Sequence, residues 1–170
     1  MNDKIKVDLD SYNKKGFVLL EDFYSQDLIQ RFNVCCSTYL GQYLTNFGFS
    51  TEDVLHTGFR LLDKTDHKII HNFYNIIRNS DILFEFKHSK KVYSVIKQLL
   101  NMDESQMAYN MYGISRMDPP DDGRFLYKWH QESYYTIPGS DSVQLWAPLV
   151  DKSSQDNGTI DVLIGSHLEE

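Results

Sequence analysis

The sequence has 170 residues, of which 41% are hydrophobic and 14% aromatic, and its formal net charge is -7. A chain of this length can bury a substantial core, so we expect one globular domain rather than a disordered or membrane-spanning polypeptide. The negative charge argues against a nucleic-acid partner, because binding a polyanion requires a cationic face.

The N-terminus of the sequence carries no obvious targeting signal. Residues 1–8 mix charged and apolar side chains without an apolar core, and no run of about 18 apolar residues follows. We therefore expect a cytoplasmic protein without a membrane partner. Its two cysteines, Cys35 and Cys36, are adjacent within a helical pattern, where a mutual disulfide would be strained, so we expect reduced thiols.

The first part of the chain, through about residue 105, has helical patterns. A short helix is predicted from Asp8 to a stop at Gly16, and residues 17–20 follow as a short apolar strand. Ser25 is a candidate N-cap for the next helix. Helical spacing of apolar residues predicts three longer helices, over residues 25–40, 66–79 and 89–101.

From residue 106 the apolar period shortens and turn residues appear. Strands are predicted over residues 107–115, 125–129, 143–150 and 159–164. Helices followed by short strands indicate an α+β fold, with a sheet that forms part of a double-stranded β-helix or jelly roll. We expect a single domain over residues 1–170, mainly helical over 1–105 and β-rich over 106–170, with the helices packed outside the sheet.

His130 and Glu132 are the first candidates for chemistry. Residues i and i+2 of a strand lie on the same face, so one cation could bind both side chains. An imidazole and a carboxylate, completed by a second imidazole, form the facial triad of non-haem Fe(II) oxygenases. A His-x-Glu tripeptide alone is not specific, and a surface His beside a solvated Glu is the alternative.

The residues around this pair make the pattern more specific. Trp129-His130-Gln131-Glu132 is followed by a strand containing Trp146, by Asn157-Gly158 and by Gly165-Ser166-His167. In order and spacing these elements resemble the phytanoyl-CoA dioxygenase family, which has a His-Gln-Asp metal motif, a Trp-bearing strand, an Asn-Gly turn and a Gly-Ser-His segment. Residues 12–23 also resemble the start of that family, and the resemblance is weak over about residues 40–105.

The resemblance implies both a fold and a function. It implies the first part of a distorted double-stranded β-helix and an enzyme that uses Fe(II), with 2-oxoglutarate as co-substrate, to hydroxylate small or lipid-like molecules. His130 and Glu132 would be two iron ligands. Trp146 would be either a wall of the co-substrate pocket or a core residue. Tyr109 and Arg116, on the strand before the metal motif, are further candidates for cofactor binding.

The sequence departs from the family pattern in two ways. The carboxylate is Glu132 instead of the usual Asp, and keeping a carboxylate at all argues against halide transfer. The family's third ligand, a His, and the Arg that binds 2-oxoglutarate lie downstream of the Gly-Ser-His segment, whereas this chain ends at Glu170. The resemblance therefore implies C-terminal truncation and little turnover by this chain alone, with His167 as the remaining candidate for the third ligand.

Two other functions stay open from the sequence. The chain could be an inactive or partner-dependent fragment of such an oxygenase, or a cupin-like metal protein that does not use 2-oxoglutarate. An exposed sheet edge would also allow self-association. The remaining histidines stand in polar contexts and are expected to be exposed residues rather than ligands; they are His56, His67, His71 and His88.

Overall fold

The computed structural model describes residues 5–108, 115–117, 123, 127–132 and 141–169, and regular structure in these ranges is helical. The α-helices are α1 Leu9–Lys15, α2 Gln26–Asn46, α3 Phe59–Thr65, α4 His67–Arg78, α5 Asp81–Lys87 and α6 Lys90–Leu100. A π-helix, Val54–Gly58, leads into α3, and short 3-10 turns cover Glu104–Gln106 and Ser166–Leu168. In these ranges no helix is both long and apolar enough to span a bilayer.

Five of these six α-helices, all except α3, begin where a short polar side chain caps them. The hydroxyls of Ser25, Ser80 and Ser89 accept hydrogen bonds from backbone N–H groups three residues later, in α2, α5 and α6. Asp8 and Asp66 cap α1 and α4 in a similar way. The helices predicted from Asp8 and over residues 25–40, 66–79 and 89–101 are therefore confirmed, within a few residues at their ends.

The core is built around α2. This helix buries one residue per turn, at Leu28, Phe32, Cys36, Leu40 and Leu44. Against this stripe pack Phe59 and Leu62 of α3, Leu83 and Phe86 of α5, and the buried face of α4, which comprises Ile69, Ile70, Phe73 and Ile77. The helices thus form the core themselves and do not cover a sheet.

A second, smaller core joins the N-terminal segment to α6. It consists of Val7, Phe23, Val92 and Val95, which are all nearly inaccessible to solvent. The side-chain amide of Gln98 closes it by donating to the Ile5 carbonyl at 2.8 Å and accepting from the Val7 N–H at 3.1 Å. The segment before α1 is therefore anchored by both apolar and polar contacts.

The predicted α+β class is wrong, because the described residues contain no sheet and no double-stranded β-helix. Their only β-type pairing is an isolated antiparallel bridge between Ser154 and Gly158. The predicted strands over residues 17–20, 143–150 and 159–164 are irregular. The predicted strands over residues 107–115 and 125–129 lie in part outside the described residues, and their described parts are not strands.

The reason for this error is that a strand needs a partner. An apolar run stabilises a strand only when a neighbour completes its hydrogen bonds and covers its face. Among the described residues no strand pairs with the segment 141–164, and most of its apolar side chains stay accessible to solvent: Leu145 is 40% exposed, Leu163 58% and Ile164 67%. Local apolar alternation therefore predicted strands that the tertiary structure does not form.

The predicted helices leave out residues 41–65, a stretch that contains Gly41, Gly48 and Gly58. Instead, α2 continues to Asn46, and the π-helix and α3 follow. Gly58 is buried where the π-helix meets α2, and a Cβ there would lie 2.7 Å from a methyl carbon of Leu44. Close packing of the π-helix against α2, and not a loop conformation, therefore explains the glycine at position 58.

The adjacent cysteines are free thiols, as predicted. Cys36 is buried in the α2 stripe, whereas Cys35 is only half-buried. Burial, with a smaller contribution from the neighbouring Cys35 thiol, raises the pKa of Cys36 to about 12. Cys36 therefore stays protonated at physiological pH and serves as a packing residue.

Candidate functional site

His130 and Glu132 lie together although the predicted strand is absent. The Nε2 atom of His130 is 3.3 Å from Oε1 of Glu132. Both side chains are partly accessible, at 34% for His130 and 43% for Glu132. The proximity arises from the local bend of residues 129–132, so the predicted pair is present on an irregular backbone.

The ring of His130 is oriented by a backbone carbonyl. Its Nδ1 lies 2.7 Å from the carbonyl oxygen of Lys128, which can only accept, so Nδ1 carries a hydrogen. The Nε2 atom that faces Glu132 then carries either a lone pair or a second proton. The hydrogen bond to the Lys128 carbonyl is the largest cause of a raised pKa of His130, and the hydrogen bond to the Glu132 carboxylate is the second. Both acceptors favour the imidazolium form.

This arrangement suits a cation between the two side chains. A lone pair on Nε2 would face the carboxylate unfavourably unless a proton or a metal ion lay between them. Two donors held by one metal ion at about 2.1 Å and at right angles lie about 3 Å apart. The separation of 3.3 Å is close to that value. A neutral imidazole with a carboxylate also matches the ligand types of non-haem iron, so the pair fits such an ion.

Within the described residues, only His130 and Glu132 come together as candidate ligands at this position. The described residues contain no group of three or more His, Cys, Asp or Glu side chains that could hold a metal ion. His167 in particular does not join the pair in such a group. Its Nε2 lies 3.0 Å from the Asn13 carbonyl, so the nitrogen that a metal would use donates a hydrogen bond instead.

A tyrosine links the pair to Arg116. The Tyr127 ring contacts the His130 ring edge to face, with centroids 6.0 Å apart. The guanidinium carbon of Arg116 lies 5.1 Å from the centre of the same Tyr127 ring. The structure thus places Arg116 and His130 against Tyr127, a residue that the sequence did not single out.

The other two predicted cofactor-binding residues are Trp146 and Tyr109. Trp146 lies on the irregular segment 141–149 and is 48% exposed, so it is not a core residue. Tyr109 lies outside the described residues.

A second polar cluster joins the π-helix to residue 151. The ring of His56 lies between two carboxylates: Nδ1 is 2.9 Å from Oδ1 of Asp53, and Nε2 is 2.8 Å from Oδ2 of Asp151. Asp151, and next Asp53, raise the pKa of His56. Hydrogen bonds hold the pKa of Asp53 well below its usual range, with the largest effect from Thr57 and the second largest from His56. The carboxylates approach opposite ring nitrogens, so they do not converge on one metal position.

Of the two contacts that His56 makes in this cluster, only the one with Asp53 had a signal in the sequence. His56 is exposed, as expected, and the spacing of Asp53 and His56 was a local signal for a contact within one turn. Asp151 is 95 residues away from His56 along the chain, and nothing in the sequence paired them.

Two surface grooves in the described part of the chain lie elsewhere. One of about 650 Å³ follows α2 and is lined partly by Ile29, Asn33 and Val150. Another of about 270 Å³ lies beside the π-helix and includes Asp53 and His56. Neither groove is lined by His130 or Glu132, whose side chains are partly accessible at the surface.

Comparison with known proteins identifies the family. The chain matches the phytanoyl-CoA dioxygenase (PhyH) family over residues 12–170, so the match includes the His130–Glu132 pair and the Gly165-Ser166-His167 segment. No curated protein and no solved structure shows a significant match. Because the family match covers nearly the whole sequence, this chain belongs to the phytanoyl-CoA dioxygenase family.

Proposed function

We propose that this protein is an Fe(II)- and 2-oxoglutarate-dependent dioxygenase that hydroxylates a small or lipid-like molecule. Membership of the phytanoyl-CoA dioxygenase family supports the class of enzyme. The observation that carries the proposal is the His130–Glu132 pair, in which Nε2 faces a carboxylate oxygen at 3.3 Å. The Lys128 carbonyl occupies Nδ1 and leaves Nε2 as the atom for the metal.

In this proposal the chain's own residues have distinct roles. His130 and Glu132 hold the iron, which when bound supplies the oxidising power that protein side chains lack. The Lys128 carbonyl fixes the orientation of the His130 ring. Arg116 binds a carboxylate of 2-oxoglutarate, since a guanidinium can pair with a carboxylate through two parallel hydrogen bonds. Trp146 lines the co-substrate side of the site, while Tyr109, which lies outside the described residues, stays a candidate from the sequence.

The test of the metal pair is titration with Mn(II), which replaces Fe(II) without being oxidised. We expect His130→Ala and Glu132→Ala to weaken Mn(II) binding by at least about tenfold, because each removes one ligand. Glu132→Asp should retain most of the affinity, since it keeps the carboxylate. The matched control is His71→Ala, because His71 is exposed on α4. Equal affinities in all these proteins would refute the metal pair.

The test of the reaction is succinate formation from 2-oxoglutarate in the presence of Fe(II) and ascorbate. Formation that depends on both His130 and Glu132 would support the dioxygenase. Metal binding without succinate formation would favour a cupin-like metal protein or a partner-dependent form of the oxygenase. In an active protein, Arg116→Gln should raise the 2-oxoglutarate concentration needed for half-maximal turnover while leaving Mn(II) affinity unchanged.

A further inference from the structure

Three segments that are far apart in the sequence meet at the end of α1. They are the last turn of α1, the metal-motif residue Gln131 and the turn at residues 165–168, which we call the 165–168 turn. The Gly165 N–H donates to the Lys15 carbonyl at 2.9 Å, and His167 Nε2 donates to the Asn13 carbonyl at 3.0 Å. The side-chain amide of Gln131 donates to the carbonyls of Ser166 at 2.9 Å and Glu169 at 3.2 Å.

The contacts with α1 supply hydrogens that the helix itself cannot provide. The last carbonyls of a helix have no partner within it. In α1 the Tyr12 carbonyl accepts from the Gly16 N–H, whereas those of Asn13 and Lys15 accept from the 165–168 turn. Gly16 lets the turn approach closely, because a Cβ at this position would lie 2.5 Å from Nδ1 of His167. The 165–168 turn is therefore fitted to the end of α1.

The hydrogen bonds of Gln131 connect the 165–168 turn to the metal motif. Gln131 stands directly between His130 and Glu132 in the chain. A side-chain amide nitrogen has two hydrogens, and each can serve one of the two carbonyl acceptors. The backbone between the two proposed ligands is thereby tied to the 165–168 turn, and through that turn to α1.

We propose that Gln131 is a positioning residue that holds the backbone of His130 and Glu132 on the end of α1 through the 165–168 turn. His167 belongs to this support and does not act as a ligand. The effect on metal binding rests on the proposed function of His130 and Glu132, whereas the support itself does not. Gln131 acts through the backbone and contacts neither metal nor substrate.

The test compares two isosteric variants, Gln131→Met and Gln131→Glu. Both remove the amide hydrogens, and Glu also adds a negative charge. A positioning role predicts weaker Mn(II) binding in both, by about tenfold, which is the lower end of the usual effect of a supporting residue on metal affinity. A simple charge effect predicts the opposite for Gln131→Glu, because an added carboxylate attracts a cation. Gln42→Met and Gln42→Glu, at an exposed position of α2, are the matched controls.

Two readouts separate this proposal from the proposed function. Amide hydrogen exchange in residues 9–16 and 127–132 should speed up by at least about threefold in both Gln131 variants, with or without Mn(II), because the support is lost. A Co(II) absorption spectrum altered in both variants, but not in the Gln42 controls, would further support displaced ligands. Absence of Mn(II) binding by the wild-type protein would reject the iron site, while faster exchange would still support the positioning role.

Two results would overturn the proposal. Unchanged exchange in both Gln131 variants would show that the hydrogen bonds of Gln131 do not hold the motif. Tighter Mn(II) binding in Gln131→Glu together with wild-type affinity in Gln131→Met would show that charge alone governs the effect.

Discussion

At the scale of the residue, contacts give three histidines three different roles. His130 has its Nδ1 tied to a carbonyl and its Nε2 facing a carboxylate, an arrangement that agrees with the proposed role as a metal ligand. His167 uses Nε2 as a donor to α1, which is a structural role. His56 lies between two carboxylates, which favours its protonated form. The residue type alone distinguishes none of these roles.

The His56 contacts predict a pH dependence of stability. The pKa of His56 is raised above its ordinary value of about 6.5 by Asp151 and Asp53. Because the folded protein holds the proton more tightly than the unfolded chain, the stabilisation is fully present below about pH 6.5 and is lost as the pH rises through the raised value. We expect the melting temperature of the wild type to exceed that of His56→Gln most at low pH.

The measurement is the melting temperature of both proteins between about pH 5 and pH 9. An NMR titration of the His56 ring should confirm that Asp151→Asn lowers its pKa, since Asp151 is the largest cause of the shift. His71→Gln, on the exposed face of α4, is the control and should show no such trend. A difference between wild type and His56→Gln that does not vary with pH would contradict the prediction.

At the scale of the element, the end of α1 depends on Gly16. This residue ends the helix with φ of 85°, a left-handed conformation that costs other residues about 1–2 kcal/mol. The ring of His167 also fills the position of a Cβ at Gly16. The Gly that the sequence marked as a helix stop is therefore required for two reasons, of which only the first was visible in the sequence.

We expect Gly16→Ala to lower the free energy of unfolding by about 1–3 kcal/mol, because it combines backbone strain with displacement of the His167 ring. His167→Ala should destabilise less. The double variant should cost less than the sum of the two single variants, since removing the ring also removes the clash with the new methyl group. Urea unfolding of the four proteins measures the coupling, and strictly additive effects would show that the ring and Gly16 do not interact.

At the scale of the whole molecule, two kinds of structure coexist. The α2-centred core is apolar and tightly packed, with Leu40 and Leu62 both 0% exposed. The segment 141–169 contacts the helices through Leu149, which packs against that core, and through polar contacts such as His56 to Asp151 and Gly165 to Lys15. Stability should therefore come mainly from the helices, and the placement of the site mainly from these polar contacts.

This division predicts that the same Leu→Ala substitution lowers the free energy of unfolding by very different amounts at two positions. Leu40→Ala should lower the free energy of unfolding by about 2–5 kcal/mol, because it opens a cavity in the core. Leu19→Ala should change it by no more than about 0.5 kcal/mol, since Leu19 is 77% exposed. Urea unfolding followed by far-ultraviolet circular dichroism measures both. Similar losses in the two variants would contradict a stability centred on α2.

The sequence by itself determined the features that depend on neighbours in the chain. Helix starts at Asp8, Ser25 and Ser89 could be read because a capping side chain acts on an N–H three residues away. Apolar spacing also predicted that α2, α4 and α6 each have a buried face, although in α2 the buried cysteine is Cys36. The order of the motifs was also enough to identify the family, which the match over residues 12–170 confirms.

Only the tertiary structure decided the features that require distant partners. Strands need a neighbour to complete their hydrogen bonds, so the apolar runs after residue 140 did not settle the fold class. The contacts of Gln131 with Ser166, 35 residues away, and of His56 with Asp151, 95 residues away, had no local signal. The proximity of His130 and Glu132 was predicted from their spacing, but the irregular backbone that brings them together was not. Local spacing shows which side chains can meet, whereas long-range packing decides which do.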